Sequence, residues 1–204
     1  MERLIQGYKR FRAEVFPERK CHFHLLAQGQ APEWLIITCA DSRVLPTLIL
    51  GIEPGDMFIT RSIGNIVPPA GEPANGTGAT VEYAVEALGV RHAIVLGHSD
   101  CGAMKAALAP EGLNKLPLSQ QWLHFVQPAH EHKQPLNPED GESAELASLI
   151  RGNVVTQLEH LRQYTSVSRA IAEKRLTIHG WYYDIMKGEI ECYDERRKRF
   201  VALK

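Results

Sequence analysis

The chain has 204 residues, enough to bury one sizeable core without disulfide support, and a single domain over residues 1–204 is expected. Hydrophobic residues make up 44% and charged residues 23%, a balance that argues against long disorder. The formal net charge of -1 gives no electrostatic footprint for nucleic acid or an acidic membrane surface, so neither is an expected partner.

Leu4, Ile5, Tyr8, Phe11 and Val15 recur at helical spacing and predict an amphipathic N-terminal helical arm. The same stretch lacks the continuous apolar segment of a secretion signal, and no run in the chain is long and apolar enough to span a bilayer. A cytoplasmic setting is therefore expected, where thiols serve as metal ligands or core residues rather than as disulfides. Trp34 to Thr38 reads as a short buried strand, as do Phe58 to Thr60 and Ala93 to Gly97. Gly71 to Gly78 reads as a flexible loop, with the sequon Asn75-Gly76-Thr77 as turn residues. Thr77 to Leu88 carries apolar residues at helical spacing and ends at Gly89. A strand, a helix and a strand in this order imply a right-handed parallel crossover.

Helices are further expected from Gly102 to Leu108, Trp122 to His132 and Ala144 to Tyr164, with loops from Pro110 to Pro117 and from Pro135 to Gly141. Leu176 to His179, Tyr182 to Met186 and Ile190 to Tyr193 read as strands, the last two forming a hairpin around Lys187-Gly188. The charged run from Asp194 to Arg199 reads as a solvated face or a subunit edge. The expected class is α/β: a central, mostly parallel sheet flanked by helices, with an antiparallel edge late in the chain.

Four cysteines then need roles. Cys39 follows the first strand, His98 follows Gly97 at the end of the third, and Cys101 lies three residues further on. In open α/β sheets ligand sites form beyond the carboxyl ends of strands, so neighbouring strands would bring these residues together. Thiolate, imidazole and thiolate are a normal zinc set, and three protein ligands leave a tetrahedral ion one open position. From spacing alone, a catalytic zinc site, a structural one closed by a fourth ligand, and ordinary buried cysteines all remain open.

The runs Cys39-Ala40-Asp41-Ser42-Arg43 and His98-Ser99-Asp100-Cys101-Gly102 together resemble the β-class carbonic anhydrases. The resemblance extends through Glu53 to Asp56, Arg61 to Pro68, Gly78 to Ala84 and His179 to Trp181. It implies one Zn2+ per subunit on Cys39, His98 and Cys101, and a lyase that converts CO2 to bicarbonate and a proton through hydroxide generated on the metal. Two thiolates neutralise the formal charge of the ion, so it should acidify its water less than three imidazoles would, with the groups around the ligands compensating in part. The resemblance further implies that Asp41 and Arg43 pair and that the carboxylate orients the attacking oxygen. It places Gln30, Phe58 and Tyr83 in the substrate pocket, reaching in from a neighbouring subunit, and gives Gly102 a backbone N–H that binds substrate. A homodimer, or a larger assembly of dimers, follows. Ile36 occupies the position where some members carry a tryptophan for a regulatory bicarbonate site, which points to the plant-type branch and its bacterial relatives. Hydrolysis of carbon disulfide or carbonyl sulfide on the same fold is the alternative activity, and a non-catalytic zinc assembly subunit is the alternative of a different class. Carbon utilization is the expected setting, and the chain's end soon after the hairpin weakens an association with carboxysomes.

Overall fold

The computed structural model describes residues 1–136, 140 and 144–203. Part of the loop expected from Pro135 to Gly141 lies outside the described residues. The chain forms two compact units, Met1–Ala31 and Pro32–Lys204.

In the first unit, α1 (Glu2–Arg10) runs through a wider turn at Phe11–Val15 into α2 (Phe16–Glu18), and α3 (Lys20–Leu26) follows. Phe11, Phe16 and Phe23 pack on one another, with ring centroids 5.5 to 6.1 Å apart. None of these helices buries a residue, and Leu4, Tyr8 and Leu25 stay exposed.

Among the described residues, the second unit is built on six strands in the order β2-β1-β3-β4-β5-β6. They are β1 (Trp34–Cys39), β2 (Met57–Ser62), β3 (His92–His98), β4 (Thr177–Asp184), β5 (Glu189–Asp194) and β6 (Arg199–Ala202). β2, β1, β3 and β4 pair in parallel, while β4, β5 and β6 pair antiparallel. Leu35 and Ile37 point into one apolar cluster and Ile36 into another, as a sheet covered on both faces requires. Because β2 and β3 lie on opposite sides of β1, the chain reverses direction across the sheet between β1 and β3, which is where such sheets open a crevice.

The helices of this unit are α4 (Pro46–Leu50), α5 (Gly76–Glu82), α6 (Gly102–Leu108), α7 (Pro117–Leu123), α8 (Ala144–Arg162) and α9 (Thr165–Ala172). Asn75 caps α5, its Oδ1 accepting from Gly78 N at 2.8 Å, so the sequon serves as a helix start. The helix continues as a wider turn over Tyr83–Ala87. α8 is buried from Ala147 to Leu158 without a break. It lies so close to the sheet that a Cβ on Gly97 would stand 2.7 Å from Val154, and one on Gly180 2.8 Å from Leu158. Gly180 is thus a close-approach residue in the middle of β4, which is one strand where two were expected.

The helix expected from Trp122 to His132 is the end of α7 followed by a tighter helical turn, His124–His130, that contains Pro128. The charged run after Asp194 is the turn into β6, a strand the expectation missed; Asp194 Oδ1 accepts from the N–H groups of Arg196 and Arg197. Among the described residues, no helix is long and apolar enough to cross a membrane.

Candidate metal centre

Cys39 ends β1, His98 ends the adjacent β3, and Cys101 immediately precedes α6. All three are buried, and their ligand atoms lie within 4.8 Å of one another. His98 Nδ1 donates to Ser99 O at 2.8 Å, which leaves the lone pair on Nε2. That Nε2 is buried with no hydrogen-bond partner among the described residues. An orphaned imidazole nitrogen facing two thiols is a donor set suited to a soft or borderline divalent ion. The two thiols oppose each other: interaction with Cys101 holds the Cys39 thiol well below its ordinary range, while Cys39, together with burial, pushes Cys101 up. A cation at this point would remove the conflict by ionising both.

The loop after β1 carries the expected pair. Arg43 donates from Nε to Asp41 Oδ1 at 3.0 Å and from Nη2 to Oδ2 at 2.8 Å, a bidentate fork. The backbone N–H of Arg43 closes the same turn on Asp41 Oδ1 at 2.9 Å. The guanidinium holds the Asp41 carboxyl far below the usual carboxylate range. Asp41 Oδ2 lies 3.9 Å from His98 Nε2, so the carboxylate borders the space on which the three ligand atoms converge.

Three partners of this loop had no role in the sequence reading. Asp100, left-handed at φ 59, takes the other side of Arg43, accepting from Nη1 at 2.9 Å on Oδ2 and from Nη2 at 3.1 Å on its carbonyl, while Lys105 pairs with its second oxygen. Arg61 ties the loop to β2, donating to the carbonyls of Cys39 (3.0 Å), Asp41 (2.6 Å) and Val44 (2.7 Å). Gly64 N–H donates to Cys39 Sγ at 3.4 Å. Asp100 and Arg61 stood inside the quoted motifs, but residue type alone does not show which carbonyl or carboxylate an arginine will grip.

The remaining expected residues stand elsewhere. Phe58 pairs in register with Leu35, four residues before Cys39 and so about 13 Å along the strand from it. It packs against Tyr83, ring centroids 6.0 Å apart, and Tyr83 is 52% exposed. Within one chain these aromatics are set apart from the ligand trio. Gln30 is exposed in the first unit. Gly102 opens α6 with nothing within 4 Å of where a Cβ would be. Ile36 is fully buried in the sheet.

A sequence model of the carbonic anhydrase family matches residues 34–190. A carbonic anhydrase of Pseudomonas aeruginosa is 44% identical over all of this chain and 92% of its own length. The solved β-carbonic anhydrase CcaA superposes with a TM-score of 0.89 at 39% identity, covering 100% of this chain and 92% of that one. One of two tetrameric β-carbonic anhydrases from Sordaria macrospora superposes with a TM-score of 0.73 at 35% identity, covering 94% and 92%. With Cys39, His98 and Cys101 converging beside the Asp41–Arg43 fork on this sheet, the chain belongs to the carbonic anhydrase family, in its β class.

Proposed function

We propose that the chain catalyses the reversible hydration of CO2 to bicarbonate and a proton, with one zinc ion per subunit held by Cys39, His98 and Cys101. The observation that carries this reading is the convergence of two buried thiols and an orphaned imidazole nitrogen beside a carboxylate already locked by an arginine. Zinc, when bound, supplies Lewis acidity that makes hydroxide available near neutral pH. The chain's own groups do the rest. Asp41, kept ionised by Arg43, accepts a hydrogen bond from the attacking oxygen and so orients it. Arg43 is held from both sides, by Asp41 and by Asp100, and this keeps the carboxylate directed away from a ligand role. The Gly102 N–H, at an open helix start, is suited to a substrate oxygen.

The pocket is completed in this reading by Gln30, Phe58 and Tyr83 of a second copy. Its support is the distance of Phe58 and Tyr83 from the ligand trio within one chain, and an arm that buries none of its apolar residues. The functional unit is then a dimer or an assembly of dimers, with residues 1–204 acting as one domain; relatives that align over the whole chain support this. Ile36, in place of a tryptophan, supports a plant-type site without bicarbonate-driven closure. A cytoplasmic role in carbon utilization is the setting that fits. The intact Asp41–Arg43 fork disfavours a non-catalytic assembly subunit. Stopped-flow CO2 hydration on zinc-loaded protein is expected to show turnover rising from neutral pH to pH 9; negligible turnover across that range, or preferential consumption of carbonyl sulfide in direct competition, would refute the reading.

A further inference from the structure

The segment after β2 leaves regular structure yet stays buried from Gly64 to Pro68, so its peptide groups must find partners inside the protein. They find them on one stripe of α8 and just beyond it. Asn153 Nδ2 donates to Gly64 O at 3.0 Å. Gln157 Oε1 accepts from Val67 N at 2.8 Å. His160 Nδ1 sits 2.8 Å from Val67 O, and Tyr164 donates to Pro68 O at 2.8 Å. Gln157 Nε2 also donates to Asn153 Oδ1 at 2.9 Å, which fixes the amide that holds Gly64. Asn153 and Gln157 are both completely buried.

This ladder ends on the metal centre. Gly64 is left-handed at φ 71, and a Cβ there would meet Met104 at 3.1 Å and Ala103 at 3.2 Å, so the turn suits glycine alone. Its N–H donates to Cys39 Sγ. The carbonyl of that same peptide, Ile63 O, accepts from Trp122 Nε1 at 3.0 Å, and the next carbonyl accepts from Asn153. The peptide that touches the sulfur is thus gripped on both sides.

We propose that Asn153, Gln157 and Trp122 are positioning residues of the metal centre, holding Gly64 so that its N–H draws charge from the Cys39 sulfur. The inference rests on the reading of Cys39, His98 and Cys101 as metal ligands. Two thiolates quench the acidity of a divalent ion, and an N–H donor on one of them restores part of it, as groups behind metal ligands commonly do.

The test uses the full chain loaded with cobalt(II) in place of zinc, reading the sulfur-to-cobalt charge-transfer absorption, with metal affinity measured by competition against a chromophoric chelator. Asn153→Leu is expected to move the band to longer wavelength and to weaken binding about 10- to 100-fold. Trp122→Phe, at a half-exposed site that tolerates the smaller ring, is expected to move the band in the same direction. Tyr164→Phe removes only the far rung, so it is expected to lower stability while leaving the band in place. An unshifted band in either Asn153→Leu or Trp122→Phe would overturn the proposal, as would an equal shift in Tyr164→Phe, which would make the ladder a general support. If Asn153→Leu does not fold, Trp122→Phe alone decides. Absence of a thiolate band in the unmutated protein would instead sink the metal-centre reading itself.

Discussion

Two arginines in this chain are each gripped by two carboxylates, and they do opposite work. Arg151 lies inside, 6% exposed, donating to Asp140 at 2.7 Å and to Glu191 at 2.8 Å, with its guanidinium 4.1 Å from the centre of the Tyr182 ring. Arg43 lies beside the candidate metal centre, 43% exposed, between Asp41 and Asp100. The buried cluster joins α8, Asp140 and β5, and Arg151 and Asp140 are almost wholly out of water, so their charges depend on one another. The open cluster pairs the loop after β1 with Asp100 and leans on solvent, so its ion pairs add little to stability. The same kind of charge cluster ties elements of the fold together in one place and, in the proposed function, aims a carboxylate in the other.

The comparison breaks first at Arg151. Arg151→Leu strands two carboxylates and is expected to lower the unfolding free energy by about 3–5 kcal/mol, read by urea denaturation. Replacing Asp140 and Glu191 by leucine as well should recover most of that loss; if it does not, the cluster's contribution lies in packing rather than charge. Arg43→Leu is expected to leave the urea midpoint almost unchanged while reducing CO2 hydration on the order of 100-fold, since Asp41 is freed from its fork. A stability loss matching that of Arg151→Leu would erase the distinction between the clusters.

Acid adds a further contrast. Burial lowers the pKa of His160, so between that depressed value and about 6.5 the unfolded chain takes up the proton that the folded one refuses. Stability is therefore expected to fall as pH drops below about 6.5, and His160→Gln should flatten that slope in urea titrations at pH 7.5 and 5.5. The Asp41 and Asp100 contributions run the same way but lower: present above about 4, where the unfolded carboxyls are ionised, and lost only on stronger acidification. The smallest effect belongs to the outermost pair. Lys105→Met, which removes a partner of Asp100, should cost a few tenths of a kcal/mol at low salt and nothing measurable at 1 M, where screening is nearly complete.

The strands and the convergence of Cys39, His98 and Cys101 were legible because short apolar runs ending in Cys39 and His98 can be read directly as buried strands whose carboxyl ends come together. β4 was read as two strands, Leu176 to His179 and Tyr182 to Met186, because the Gly180 between them marks a close approach only through Val154 and Leu158, which come from a distant helix. β6 escaped because it has four residues and begins in a charged run. The ladder of Asn153, Gln157 and His160 was invisible for another reason. Polar residues at helical spacing ordinarily mark a solvated face, and only burial on every side of α8 shows that they face backbone instead. Their spacing of four and three residues was the available signal, had the helix been taken as fully buried.

The central claim is that Cys39, His98 and Cys101 hold the ion on which catalysis depends. Zinc content and CO2 hydration measured on the same samples of the unmutated chain and Cys39→Ser test it most directly. The expected result is one zinc per chain with rapid turnover in the first, and loss of both together in the second. Full zinc content and activity in Cys39→Ser would contradict it.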